Sequence, residues 1–143
     1  MTWTEAEEAI RRKIDSDLAA LSPVWVDLPP SDYSRDEDGV NLEYVIQYGS
    51  VAPKGVGVYA DRSAGTGDRT TGFVQFDVYF IQGSGPRPAH EAGDAVRGAF
   101  QGQRIQLPQG GSIRFGTPFP SNGGRDGAFL RRIVTVPFEA DDI

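Results

Sequence analysis

The segment from Thr71 to Phe100 constrains the fold more than any other part of the chain. Within Gly72–Ile81 the side chains alternate, and one of the two sets is wholly apolar: Val74, Phe76, Val78 and Phe80. Because successive side chains of a strand point to opposite faces, this pattern predicts a long strand with one apolar face. After a break rich in Gly and Pro, small and apolar residues recur at helical spacing: Ala89, Ala92, Val96, Ala99 and Phe100. We therefore expect a helix that lies close against this central strand.

A second helix is predicted at residues 4–21, ahead of the central strand. Thr4 and Glu7 have the spacing of a capping box, in which each side chain satisfies a free backbone N–H of the first turn. Apolar residues follow at helical spacing: Trp3, Ala6, Ile10, Ile14, Leu18 and Leu21. Ser22-Pro23 is expected to end the helix, because a proline disfavours helical backbone geometry at the residue that precedes it.

The rest of the chain alternates between short strands and polar connections. Strands are predicted at 24–28, 41–48, 56–60, 104–107, 112–115 and 128–138. The polar connections are a loop at Ser31–Gly39, an arm at Asp61–Thr70, a turn at Ser121–Gly127 and an acidic tail at Glu139–Ile143. This order predicts one α+β domain over residues 1–143, with a mainly antiparallel sheet, two helices packed on one face and long loop arms.

Composition excludes several classes of function. Acidic residues outnumber basic ones by 20 to 14, and this net charge of −6 disfavours general binding to nucleic acid. The chain has no cysteine, so a disulfide, a thiolate zinc site and a cysteine nucleophile are excluded. No apolar run approaches the ~20 residues of a membrane span, and the first residues lack the pattern of a signal peptide. We expect no contact with a membrane.

Candidate chemistry is sparse. His90 is the single histidine, and no Gly-x-Ser-x-Gly elbow accompanies it, so we expect no enzyme and no cofactor. The carboxylates of Ser31–Gly39 suit Mg²⁺ or Ca²⁺, but their spacing does not match an EF-hand and favours a solvated loop. Aromatic residues on an open sheet would suit single-stranded nucleic acid, yet the acidic balance and the missing ribonucleoprotein motif weigh against that function.

Four segments carry a resemblance to a known family. They are the helix Thr4–Leu21 running into Trp25–Pro30, the strand Gly72–Tyr79, the helix Ala89–Phe100 with its Gly93-Asp94-Ala95-Val96-Arg97 core, and the closing run Arg132–Ala140. In this order they resemble the tail terminator (tail completion) proteins of long-tailed phages, prophages and gene transfer agents. The resemblance covers nearly the whole chain, although none of its motifs is diagnostic alone.

The resemblance implies a structural virion protein. It would assemble as a six-fold ring on the tail tube, end tube polymerisation and present the surface that joins the head. Its partners would be its own copies, the major tail tube protein and head-completion or neck proteins, with DNA passing through the lumen without sequence-specific binding. It would be found in the tail or neck of the virion, and in the bacterial cytoplasm during assembly. The alternatives are a head-closure or neck connector and, more remotely, a small ligand-binding or hydrolytic α+β domain.

We expect the subunit and tube contacts to come mainly from the polar connections. Arginines there would pair with acidic residues of a neighbouring subunit, although ordinary solvated loops explain the same residues equally well. The candidate contact residues are Asp36, Tyr44, Arg62, Arg69, Arg125 and Asp126.

Overall fold

The computed structural model shows an α+β fold in which two helices pack on one face of a curled sheet. It describes residues 2–53, 68–108 and 110–141. The helices are α1 (Trp3–Asp17) and α2 (Arg87–Phe100), and a short 3₁₀ turn at Ala19–Leu21 follows α1. The strands of the described ranges are β1 (Val24–Trp25), β2 (Asn41–Pro53), β3 (Asp68–Ile81), β4 (Arg104–Gln106), β5 (Ser112–Phe115), β6 (Phe119–Asp126) and β7 (Phe129–Asp141).

The sheet is mixed and mostly antiparallel. Its strand order is β1-β2-β3-β7-β5-β4, and β6 pairs with β7 as well. Among the strand pairs of the described residues, only the short β1–β2 pair is parallel. Strand β7 pairs with β3 along its whole length, and its other edge is shared by β6 and β5. This central place explains why large apolar groups occur on both faces of β7.

The core lies between the two helices and the predicted apolar face of β3. Both helices contribute to the same buried cluster as this face, which confirms that they pack on one side of the sheet. Phe100 of α2 is in contact with the rings of Phe76 and Phe115, at centroid distances of 5.5 Å and 4.9 Å. The small residues Ala89 and Ala92 are buried, so the axis of α2 approaches the sheet closely, as expected from the sequence.

Gly72 lies at the tightest point of the sheet. Tyr48 of β2 pairs with Gly72, but the next pair is Val51 with Thr70, so β2 has an irregularity here. A Cβ atom at position 72 would lie 2.3 Å from the carbonyl oxygen of Gln47 and 2.8 Å from Cζ of Phe138. Glycine within a strand often marks such a close approach, and no other residue fits this position without displacing backbone.

The start of α1 differs from the prediction. The capping box is formed by Thr2 and Glu5: the Glu5 backbone N–H donates to Oγ1 of Thr2 (3.1 Å), and the Thr2 N–H donates to the Glu5 carboxylate (2.7 Å). Trp3, predicted on the apolar stripe, is therefore in the exposed first turn. Both Thr2-x-x-Glu5 and Thr4-x-x-Glu7 have the required spacing, so the sequence pattern alone could not select between them.

Replacing Thr2 with alanine should lower the free energy of unfolding by about 1 kcal/mol, because the first turn loses its side-chain acceptor. The matched control is Thr4→Ala, which removes the same atoms two residues later and should change stability by about 0.5 kcal/mol or less. Urea denaturation followed by circular dichroism measures both. Equal losses, or a larger loss in Thr4→Ala, would contradict the observed cap.

Three predicted irregular segments are strands instead. Asp68–Thr70 of the predicted arm begins β3, Ser121–Asp126 of the predicted turn lies in β6, and Glu139–Asp141 of the predicted tail continues β7. In each case the backbone pairs with a neighbouring strand, and this pairing outweighs the low strand preference of Gly, Asn and Asp. The remainder of the arm and the predicted strand at 56–60 lie outside the described residues.

Candidate interaction surface

The face of the sheet opposite the helices, here called the outer face, carries buried charged groups. Glu43 of β2 and Asp77 of β3 are directly opposite each other in the strand register, and each is only 8% exposed. Buried carboxylates need hydrogen bonds or cations to offset their lost hydration. The partners of Glu43 come from the loop that connects β1 to β2, whereas Asp77 accepts a hydrogen bond from Gln75 of its own strand.

Arg35 of this loop is the centre of an interaction network, here called the Arg35 cluster, that includes Tyr33, Glu43, Tyr79 and Asp126. Its guanidinium donates to Glu43 and to Asp126, each at 2.7 Å, and lies 3.5 Å from the centre of the Tyr79 ring. The Tyr33 hydroxyl donates to the same Glu43 carboxylate at 2.9 Å. The hydrogen bond to Glu43 raises the pKa of Arg35, so the arginine stays charged. The cluster holds the loop against β2, β3 and β6.

Asp77 lies next to this cluster and has an unusual proton affinity. Burial raises the pKa of its carboxyl group above the ordinary value, although a hydrogen bond from Gln75 (3.1 Å) and the charge of Arg131 act in the opposite direction. The folded protein therefore binds this proton more tightly than the unfolded chain does. This tighter proton binding stabilises the folded protein at a pH below the ordinary pKa. The stabilisation is lost as the pH rises through the pKa of the folded state.

Replacing Asp77 with asparagine should remove this loss, because an amide oxygen still accepts from Gln75 but carries no charge. We expect Asp77→Asn to become more stable relative to the parent protein as the pH rises from about 3 to 7, which spans the ordinary aspartate pKa of about 3.9. Denaturation midpoints across this range measure the effect. Asp94→Asn makes the same side-chain change at an exposed position of α2 and is the matched control. A difference for Asp77→Asn that is constant with pH would contradict the prediction.

A second group of ion pairs occupies the other end of the outer face. Arg69 donates to Asp141 at 2.7 Å, and Arg114 donates to Glu139 at 2.9 Å. Between this group and the Arg35 cluster, three strands present only uncharged side chains: Val45, Gln47, Phe73, Gln75, Ile133, Thr135 and Pro137. The outer face thus has an uncharged centre between two regions whose charges are paired within the chain.

On the helix side, a groove of about 580 Å³ separates α2 from β6 and β7. Its lining includes Ala89, Gly93, Arg97, Phe119 and Arg132. His90 lies at the same groove and is exposed, with its backbone N–H donating to the carbonyl of Pro86. Among the residues that the structure describes, no three His, Asp or Glu side chains come together in a way that suits a metal ion. None of the described helices has the length and apolarity needed to cross a membrane.

The predicted contact residues are scattered rather than grouped. Tyr44 is 1% exposed and packs against Phe76, so its prediction as a surface contact is wrong: it is on the helix-covered face of β2. Asp36 orders its own loop, because its carboxylate accepts from the Asp38 N–H and its N–H donates to Asn41. Arg69 is paired with Asp141 as described above.

Two of the remaining candidates lie close together in β6. Asp126 belongs to the Arg35 cluster, and its neighbour Arg125 is exposed. Arg62 lies outside the described residues. The sequence prediction missed Arg35 and Glu43, because a carboxylate that alternates with apolar residues in a strand is also typical of a solvent-facing side.

Comparison with known proteins supports the fold. No family model and no curated protein sequence matches the chain. One solved structure, which carries no functional description, superimposes with a TM-score of 0.70 and covers 98% of this chain and 96% of its own. The two sequences are 16% identical, so the similarity extends to the fold alone. The structure thus defines an α+β protein with a curled, mostly antiparallel sheet and two helices on one face.

Proposed function

We propose that this chain is a tail terminator, a structural subunit that closes into a ring on the end of a phage-type tail tube. The proposal starts from the sequence resemblance and depends physically on one observation, the unlike edges of the sheet. At one edge, the two-residue strand β1 pairs with Glu43 and Tyr44 of β2. At the other, β4 and β6 are the outermost strands among the described residues. A closed ring of more than two copies needs two different surfaces on each copy, and the unlike edges of the sheet can supply them.

The outer face gives further support. Interfaces between proteins are depleted of charged residues at their centre, and charged groups lie mainly at the rim. The uncharged centre of the outer face, bounded by the Arg35 cluster and the Arg69–Asp141 pair, has this composition. We propose that it faces another component of the particle, with the tail tube protein and neck proteins as the partners. The protein would then act in the tail or neck of the virion, without catalysis or a cofactor.

Loss of the protein during particle assembly tests the proposal. Without a terminator, tubes should continue to grow, so electron micrographs should show abnormally long tails and few tails joined to heads. Supplying the protein from a plasmid should restore the parental length distribution. Tails of normal length that fail to join heads would favour the neck connector instead. Normal, infectious particles in the absence of the protein would exclude both roles.

A further inference from the structure

An exposed apolar loop with acidic neighbours and a groove behind α2 that contains arginines lie in different parts of the molecule. We propose that residues Val26–Pro30, here called the Leu28 loop, dock into the α2–β6 groove of a second copy of the chain. This inference rests on the proposed ring and specifies which surfaces meet in it.

The Leu28 loop is apolar, exposed and already ordered. Leu28 is 68% exposed and Val26 is 46% exposed, although both are large apolar side chains. The loop is held by two turns, in which the Leu28 N–H donates to the Trp25 carbonyl (3.1 Å) and the Tyr33 N–H donates to the Pro30 carbonyl (3.0 Å). Pro29 and Pro30 restrict the backbone further. A segment fixed in this way loses little conformational entropy when it binds.

The groove offers an apolar floor of suitable size. Its floor is made of small or apolar residues, including Ala89 and Gly93 of α2 and Val134 of β7, and the exposed ring of Phe119 forms one wall. A Cβ atom at Gly93 would lie 3.6 Å from Val134, so a larger side chain at this position would occupy the groove. Its volume of about 580 Å³ is in the range of sites that enclose a small ligand or a few side chains.

The charges are complementary as well. Two exposed carboxylates, Asp27 and Asp32, lie in or next to the Leu28 loop. The groove contains Arg97 and Arg132, whose guanidinium groups donate to the neutral side-chain amides of Gln101 and Asn122. Asp94 and His90 line the same groove. Attraction between opposite charges would orient the loop as it approaches the groove.

One chain cannot satisfy this contact by itself. β1, which leads into the loop, is separated from β7, which forms the groove floor, by β2 and β3. At a strand spacing of roughly 4.8 Å the two elements are about 14 Å apart, with β1 at an edge of the sheet and β7 inside it. The contact therefore joins different copies, and when it repeats head to tail it has the geometry that closes into a ring.

The absence of native cysteine makes a direct test by disulfide formation possible. We would mix Leu28→Cys protein with Gly93→Cys protein under mild oxidation and measure the mixed disulfide dimer by mass spectrometry. Gly98→Cys is the matched control, because it is on the same helix but its Cβ would have no neighbour within 4 Å. We expect at least about ten times more mixed dimer with Gly93→Cys. Equal yields, or no mixed dimer at any concentration up to about 1 mM, would overturn the inference.

A second measurement separates this inference from the proposed function. Gly93→Trp should fill the groove and weaken self-association at least about tenfold in sedimentation experiments, whereas Gly98→Trp adds the same side chain outside the groove. If Gly93→Trp folds, associates normally and restores parental tail length, the docking inference is wrong and the terminator function stands. If loss of the parent protein leaves particles normal, the function fails independently of the docking result.

Discussion

Replacing Gly72 with alanine is expected to destabilise the protein by about 3 kcal/mol or more, the upper part of the range for overpacking a well-packed core. The added methyl group would overlap the backbone carbonyl of Gln47, which cannot rotate away, and the ring of Phe138. Relief requires β2 to separate from β3 at this point, or Phe138 to leave the core. Chemical denaturation and the melting temperature should both report the loss.

The matched control for Gly72→Ala is Gly98→Ala. It adds the same methyl group to a position where nothing lies within 4 Å, and in a helix it should raise stability by about 0.5–1 kcal/mol. The free energy of unfolding should therefore fall in Gly72→Ala and rise in Gly98→Ala. If Gly72→Ala unfolds at the same denaturant concentration as the parent, the close approach of β2, β3 and Phe138 described here is wrong.

The second large effect is expected from Arg35→Ala. Removing the guanidinium leaves the Glu43 carboxylate, 8% exposed, with Tyr33 but without its cation. Breaking a buried ion pair in this way typically costs about 3–5 kcal/mol. Arg35 also contacts Tyr79 and Asp126, so the loop that connects β1 to β2 should become susceptible to proteolysis. Urea denaturation and limited trypsin digestion measure the two consequences.

A double mutant and a surface control test the cause of the Arg35 effect. In Arg35→Ala/Glu43→Gln the unpaired charge is gone, so the combined loss should be smaller than the sum of the two single losses. Arg87→Ala removes an arginine that is 89% exposed and pairs with Glu91 on the same helix, and it should cost about 0.5 kcal/mol or less. Additive losses, or an Arg35→Ala protein as stable as the Arg87→Ala protein, would show that the cluster does not hold the loop.

The elements with strong periodicity could be predicted from the sequence. The apolar face of β3, the small-residue stripe of α2 and the central position of β7 all follow from side-chain spacing, because one face of each must be buried. The predictions failed where pairing decides the structure. Ser121–Asp126 has the composition of a turn, yet it forms β6 because β7 offers backbone donors and acceptors along its free edge.

The contact residues were harder to predict for a related reason. Tyr44 and Glu43 are neighbours on β2, and the sequence does not state which of the two faces the helices cover. The structure places Tyr44 under the helices and Glu43 on the outer face. Arg35 lies in a polar loop whose composition indicates only solvent exposure, and its partners are on three different strands. Such a network depends on the three-dimensional arrangement and leaves no local pattern in the sequence.

The full-length pairing of β3 with β7 has a consequence for how the chain reaches its native state. Arg69 and Asp141, which close one end of this pairing, are 72 residues apart in the sequence. Proteins dominated by such distant pairings fold slowly, because the loop must close before its contacts form. Until β7 pairs with it, this edge of β3 has free backbone donors and acceptors and can pair with other nascent chains. Refolding at low concentration, or the help of a chaperone, should therefore raise the yield of native protein.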